Sequence, residues 1–228
     1  MTIESALTSI INGLDRVSDP AGKYVVVSDI NGQNIGKVRP EMLLFGNELV
    51  DMGLPSGTLW AKNNLGATSP TGYGWYFAWG DPTPHQEGGG YNFSQANYDA
   101  SEAAAITTDL SDDNDMATVN LGKKWRLPSK EDFAELFNSS YTTNVWTTIN
   151  GVNGLLVTSK APHGNTLFFP AAGLYDGTSL NDRGTYGLYW SSSVDSSPKA
   201  FGLRFYSSYV YPQNSNSRYI GRSVRAVQ

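Results

Sequence analysis

A strict alternation of apolar and other residues near the C terminus is the feature that most constrains the fold. The apolar set is Phe201, Leu203 and Phe205. Successive side chains of a β-strand point to opposite faces, so a period of two predicts a strand that buries one face and displays the other. The displayed set would be Gly202, Arg204 and Tyr206, followed by Ser208, Tyr209 and Tyr211.

The composition around this strand admits two interpretations. Between residues 186 and 219, 17 of the 34 residues are Tyr, Ser or Asn. Antibody binding surfaces use this mixture because Tyr gives a large contact area at low entropy cost, while Ser and Asn adapt their hydrogen bonds. An ordinary solvated strand with a polar loop has the same composition. The segment is therefore either a ligand-binding surface or a solvated sheet edge.

Length and composition exclude several classes of protein. With 228 residues and 39% hydrophobic residues, the chain can bury a substantial core. The 16 basic and 21 acidic residues form no basic patch, so we expect no nucleic-acid partner. No apolar run approaches the roughly 18 residues that cross a bilayer, so we expect no membrane insertion. With no cysteine, the chain has no disulfide, thiol nucleophile or cysteine-based zinc site.

The first 45 residues are predicted to form a helix followed by a hairpin. An apolar stripe at helical spacing consists of Ile3, Leu7, Ile10 and Leu14. It either packs on the main domain or joins three copies as a homotrimer. Strands are expected at 24–28 and 35–38, because Asn31-Gly32 is a turn signal. Residues 1–12 lack the pattern of a secretory signal peptide, so either the sequence is that of a mature form or the protein is not exported through a signal peptide.

Residues 46–228 are predicted to form one ligand-binding domain of the α+β class. Glycine and proline separate short strands expected at 49–54, 58–61, 155–158, 166–169, 189–193, 200–206 and 223–227. A helix is expected to begin near Ser111, and a second helix begins after Ser129, with Asp132 completing a capping box. The polar insertion over 81–108 is either functional or mobile.

No catalytic motif is present, so an enzyme is not expected, and neither is a cofactor or a metal. The acidic run over 109–115 either binds Ca²⁺ or caps a helix, and it lacks the glycine and final glutamate of an EF-hand. The tryptophans either stack on sugars or pack in the core. Core packing is favoured for Trp60, Trp75, Trp125 and Trp190, which lie in apolar or strand-like runs.

Several segments in order resemble the C-type-lectin fold in its formylglycine-generating-enzyme-like branch, particularly its Bacteroidetes members. These segments are Val50–Trp60 (VDMGLPSGTLW), Tyr76–Gly80 (YFAWG), Gly122–Pro128 (GKKWRLP), Phe169–Gly173 (FPAAG), Tyr189–Ser193 (YWSSS) and Gly221–Arg225 (GRSVR). The resemblance implies a C-type-lectin-like fold over residues 48–228, with short antiparallel strands and two short helices.

The same branch includes variable proteins of diversity-generating retroelements, whose ligand-binding residues are rewritten by mutagenesis at adenines. The resemblance implies a constant skeleton of Trp190, Ala200, Leu203, Phe205, Val210, Gly221, Ser223, Val224 and Arg225. It implies diversified ligand-binding positions at Asp195, Ser197, Gly202, Arg204, Tyr206, Tyr209, Tyr211, Asn214, Ser215, Asn216, Ser217, Ile220 and Arg222. The amino acids at these positions are all reachable from an asparagine codon by changes at adenine.

Two departures limit what the resemblance implies. The oxygenase of this superfamily depends on cysteine, which the chain lacks. The calcium-dependent sugar motifs of animal C-type lectins are also missing. The segment over 23–40 is similar to attachment segments of phage tail and fibre proteins, which are often trimeric.

These observations favour a phage tail-tip adhesin that binds a bacterial surface protein or glycan and is located in the virion. The alternative is a cell-surface or fimbria-associated protein of a Bacteroidetes bacterium, in which the domain has a structural use. A second rival is an enzyme without a recognisable motif.

Overall fold

The computed structural model describes residues 48–228, together with the backbone of residues 25–28 and 34–38. Helices and antiparallel sheets are both present in the described residues, which places the chain in the α+β class. The predicted helix with the stripe Ile3, Leu7, Ile10 and Leu14 lies outside the described residues, as does the predicted turn at Asn31-Gly32.

The predicted N-terminal hairpin is confirmed for its two strands. Strand β1 (Val25–Ser28) pairs antiparallel with β2 (Asn34–Val38). The register shifts between Val27 and Ser28, which marks a bulge near the turn end.

Residues 48–228 begin with a short hairpin that pairs with the end of the chain. Strand β3 (Leu49–Asp51) pairs with β4 (Leu59–Ala61), so the strand predicted at 58–61 is confirmed and the one predicted at 49–54 ends three residues earlier. The strand predicted over 223–227 is wrong. Those residues form isolated bridges instead, Ser223 with Tyr189 and Val227 with both Trp60 and Arg126. The final segment therefore joins several neighbours by single pairings rather than extending one sheet.

The polar insertion over 81–108 is ordered and packed onto the core. It contains helix α1 (Gln95–Asp99) and a 3₁₀ turn over Glu102–Ala105. Phe93, Tyr98 and Ala103 are buried, and the Tyr98 hydroxyl donates to the carbonyls of Trp79 at 2.9 Å and Ala103 at 3.1 Å. These contacts fix the insertion against the aromatic segment 73–79.

Two further helices follow, and the predicted start near Ser111 is only partly confirmed. Ser111 is the N-cap of a 3₁₀ turn over Asp112–Asn114, and helix α2 (Met116–Leu121) begins after a second cap, Asp115. The Asp115 carboxylate accepts hydrogen bonds from the backbone N–H groups of Ala117 and Thr118. Helix α3 (Lys130–Leu136) confirms its predicted Ser129 cap and capping box with Asp132.

Two three-stranded antiparallel sheets complete the domain. Strands β5 (Thr142–Ile149), β6 (Val152–Ser159) and β7 (Thr166–Pro170) pair in that order. A small hairpin of β8 (Leu174–Asp176) and β9 (Ser179–Asn181) follows. Strands β10 (Gly187–Val194), β11 (Lys199–Tyr206) and β12 (Tyr209–Ser217) then form the second sheet, with β11 in the centre.

The core lies between these sheets and helix α3. One cluster joins Phe133 of α3 with Leu155 of β6, Phe169 of β7 and Phe205 of β11. The core positions predicted for Trp60, Trp75, Trp125 and Trp190 are confirmed, since all four are buried. None of the described helices is long and apolar enough to span a membrane.

Candidate ligand-binding surface

The alternation along β11 is realised in its second half. Leu203 and Phe205 are fully buried in the core, while Arg204 and Tyr206 between them are partly exposed on the opposite face. Phe201 departs from the prediction because it is only half-buried, and the Lys130 ammonium lies 4.6 Å from its ring centroid. The end of β11 nearest the β11–β12 turn is therefore the part that displays side chains.

Five side chains at this end form a continuous aromatic surface, which we name the tyrosine patch. Its members are Tyr186, Arg204, Tyr206, Tyr209 and Tyr211. The Arg204 guanidinium lies 4.9 Å from the Tyr186 ring, and the Tyr186 and Tyr206 rings are 5.3 Å apart. Tyr211 lies 6.3 Å from Tyr206 and 4.4 Å from Tyr209, between ring centroids.

The outer tyrosines of this patch are unusually exposed for rings of their size. Tyr209 is 55% exposed and Tyr211 is 39% exposed. The side-chain hydrogen bond with Tyr206 is the main cause that raises the pKa of the Tyr211 hydroxyl. The patch therefore offers phenol groups and one guanidinium group to a ligand.

The opposed strand pairs explain which residues share this face. Tyr206 stands opposite Tyr209, and Arg204 stands opposite Tyr211. The register then shifts, so that Gly202 stands opposite Asn214 and the positions of β12 on this face change from odd to even numbers. Consequently the four residues 214–217 cannot all face one side, because the pleat alternates them.

The remaining site residues that are exposed or half-buried lie toward the other end of β12, on both faces of the sheet, and we name them the serine–asparagine patch. Its members are Asp195, Ser197, Asn214, Ser215, Asn216 and Ser217. Asp195 and Ser197 are exposed, and residues 214–217 are half-buried. The Ser215 hydroxyl donates to the Asp195 carboxylate. With about 3.3 Å per strand residue, this patch is centred roughly 15 Å or more from Tyr209.

Three residues expected on the displayed surface are buried, so the prediction is wrong for these three. Gly202 is buried, Ile220 is 8% exposed and Arg222 is fully buried. The physical reason is that the segment 220–225 folds back over the sheet, where Ser223 pairs with Tyr189 and Arg222 pairs with Phe77. The residues expected to form the constant skeleton are buried, except Val210, which is half-buried.

A groove lies beside the β11–β12 turn, and no pattern in the sequence predicts it. This hairpin groove has a volume of about 540 Å³. Its lining consists of Phe137, Asn144, Val145, Trp146, Leu155, Tyr206, Ser207, Ser208, Tyr209, Val210 and Pro212. The volume lies within the range of small-ligand sites. Tyr206 and Tyr209 belong to both the groove and the tyrosine patch.

Strand β5 supplies the opposite wall of the groove. Val145 is 55% exposed, and the Trp146 ring lies 6.3 Å from the buried Phe205 ring. The sequence contained a signal for this strand, because six of the eight residues Thr142–Ile149 are β-branched. These residues contribute to the site because they line the groove together with the β11–β12 turn. The sequence pattern of β5 does not show that the turn lies beside it.

The acidic run 109–115 serves local structure. Asp109 accepts from the backbone N–H of Val194 at 2.8 Å, and Asn114 accepts from that of Ser111 at 2.8 Å. Burial raises the pKa of Asp115 despite the backbone hydrogen bonds that lower it. A cavity of about 780 Å³ lies beside Asp112 and Asp113. Across the described residues, no group of three or more acidic or histidine side chains is arranged to hold a metal.

The comparisons with known proteins bear on the C-terminal third of the chain. The family described as a domain of unknown function, DUF8237, matches residues 157–227. No curated protein and no solved structure matches the chain. The matched region begins within β6 and includes the whole β10–β11–β12 sheet, so the chain is similar to this family in the region that carries the tyrosine patch.

Proposed function

We propose that this chain is a receptor-binding protein whose C-terminal sheet presents exchangeable side chains to a bacterial surface ligand. In this proposal it is a phage tail-tip adhesin with a C-type-lectin-like fold. The observation that carries the proposal is the tyrosine patch, a set of neighbouring rings at the β11–β12 end of the sheet, where Leu203 and Phe205 on the opposite face of β11 are fully buried.

The contrast between the two faces of β11 supports this function. Leu203 and Phe205 hold the strand in the core, so the outward side chains Arg204 and Tyr206 can change without altering the packing. Substitutions at surface positions of this kind usually change the free energy of unfolding by no more than about 0.5 kcal/mol. A rigid sheet with exchangeable outward residues suits a protein that must recognise a changing target.

The resemblance to retroelement variable proteins supports the same function. In our proposal the diversified positions are the exposed or half-buried members of the two patches. Gly202, Ile220 and Arg222 are excluded from the contact surface because they are buried. The hairpin β1–β2 belongs to the segment that is similar to phage attachment segments.

The test is binding of the labelled protein to a panel of intact bacterial cells. The variant Tyr206→Ala/Tyr209→Ala/Tyr211→Ala should lose binding, with a fall in Tm of only a few degrees. Val119→Ala on α2, another exposed apolar side chain, is the control and should bind normally. Unchanged binding by the triple variant would contradict the proposal. A large fall in its Tm would show that the rings belong to the core.

The diversification is tested separately by the DNA around the gene. The proposal expects an adjacent reverse transcriptase gene and a near-copy of the 3′ end that differs mainly at adenines. If the neighbouring DNA lacks both, the proposed diversification is contradicted and the proposed binding surface is not affected.

A further inference from the structure

We propose that the free edge of β5 and the hairpin groove beside it dock an extended polypeptide segment of the ligand. The ligand would therefore be a protein rather than a glycan. This inference rests on the proposed function, because the groove shares Tyr206 and Tyr209 with the tyrosine patch.

The edge of β5 offers a backbone template. All eight residues of β5 pair with β6 on one side. Within the part of the chain that the structure describes, no strand pairs with its other side. In an antiparallel strand about half of the N–H and C=O groups point away from the partner, so this edge presents a row of hydrogen-bonding groups about 26 Å long. Thr143, Asn144 and Val145 are exposed along it.

Proteins often protect such an edge with charged side chains or proline, and the sequence of β5 supplies neither. It contains no charged residue, no proline and no glycine. The other edge strand beside the groove, β12, carries Pro212 and a register shift, both of which hinder pairing. An uncharged, β-branched edge of this length invites another strand to pair with it, which makes a pairing partner the expected occupant.

The groove next to this edge suits the side chains of such a strand. Its lining contains no charged residue and combines the apolar Val145, Trp146 and Val210 with hydroxyl groups of Ser207 and Ser208. When a peptide adds to a sheet edge, its main chain gives affinity and alternate side chains enter neighbouring pockets. The groove would therefore select uncharged side chains at every second position of the bound segment.

The shape of the site argues for a segment of another protein rather than a second copy of this chain. A twofold contact places the same patch against itself, so both surfaces must be self-complementary. A concave groove of about 540 Å³ cannot be filled by an identical groove. An extended segment can instead enter it while pairing with β5.

The experiment selects binders from a display library of random linear peptides and compares three forms of the full chain. Val145→Lys places a charge on the free edge, and Val119→Lys is the matched control at an exposed valine on α2. The enriched peptides should be uncharged at alternate positions. Val145→Lys should weaken their binding by about tenfold or more, while Val119→Lys leaves it unchanged.

A second measurement does not depend on a substitution. Hydrogen exchange at the outward amides of β5 should slow when a selected peptide is added, because these amides gain acceptors. Peptides that bind without slowing these amides would overturn the inference. So would a selection without binders, or a dimer of the unmodified chain that Val145→Lys dissociates in light scattering.

The two proposals fail in different ways. One outcome is a peptide or glycan that binds the Val145→Lys variant normally and fails to bind a variant without Tyr209 and Tyr211. That result would overturn the edge inference and leave the proposed function intact. If the tyrosine triple variant still binds bacterial cells, the proposed function fails independently of β5.

Discussion

The guanidinium of Arg222 lies 4.3 Å from the ring centroid of Trp190, fully buried. None of its three nitrogens has a hydrogen-bond partner among the described residues. Arg225, three residues later, is equally buried but donates to the Asn64 side chain and to three backbone carbonyls, those of Ala61, Lys62 and Phe168. The two arginines therefore make opposite contributions to stability.

Replacing Arg222 by methionine should stabilise the protein. A buried charge without a partner carries a desolvation cost that apolar replacements remove, commonly by about 1–4 kcal/mol. Methionine also keeps a favourable contact with Trp190. Urea unfolding of Arg222→Met should show a higher free energy of unfolding than the unmodified chain.

The matched variant Arg225→Met should do the reverse. It leaves Asn64 and the carbonyls of Lys62 and Phe168 without their donor, and each unsatisfied buried group costs about 1–3 kcal/mol. Equal destabilisation by both variants would show that Arg222 makes a stabilising interaction in the folded protein, and would contradict the prediction.

The pH dependence of stability gives a second test of Arg222. Burial, and then the charge of Arg204, lower the pKa of Arg222 from 12.5 to about 9. Above pH 9 the folded protein loses this proton while the unfolded chain keeps it, so this group makes stability rise with pH. The advantage of Arg222→Met over the unmodified chain should be constant below about pH 8 and should shrink above pH 9.

The buried tyrosines change the stability with pH in the opposite direction. The effect of Arg222 is therefore measured as the difference between Arg222→Met and the unmodified chain. Burial raises the pKa of Tyr76 and of Tyr98 from 10 to about 12. Between these values the unfolded chain loses protons that the folded protein keeps, so stability falls as pH rises above 10. Both forms share this loss, and it cancels in their difference. A difference that stays constant from pH 7 to 11 would contradict the assignment.

Substitution of Gly202 should lower the free energy of unfolding, although the alternation along β11 predicts that this residue is displayed. A Cβ at this position would meet the Tyr189 carbonyl oxygen at 2.2 Å and the Arg222 Nη1 at 3.2 Å. Overpacking of a filled interior usually costs about 1–3 kcal/mol. Thermal unfolding should show this loss for Gly202→Ala and almost none for Ser207→Ala in the exposed turn. An equal Tm for both variants would place Gly202 among the tolerant positions.

Local signals predicted the elements whose structure depends on neighbours in sequence. Ser129 and Asp132 predicted the start of α3 because a cap and its partner stand three residues apart. Period two predicted the buried face of β11 at Leu203 and Phe205. Ser111 predicted a helix start that is a 3₁₀ turn, and the α-helix itself begins after Asp115, because both residues are good caps and both are used.

Distant segments determined what the sequence could not predict. Gly202 follows the displayed alternation, yet the segment 220–225 covers it, and such a long-range contact leaves no mark on the local pattern. The shift of register in β12 likewise depends on its pairing with β11. The hairpin groove joins β5 to the β11–β12 turn, which is more than 50 residues away in sequence.

In the proposed function, the tyrosine patch displays exchangeable side chains on a framework that does not depend on them. The most direct measurement is the Tm of a combinatorial library in which Arg204, Tyr206, Tyr209 and Tyr211 are varied together. We predict that most variants fold with a Tm within a few degrees of the unmodified chain, since each surface change is worth about 0.5 kcal/mol or less. A library in which most variants unfold would contradict the claim.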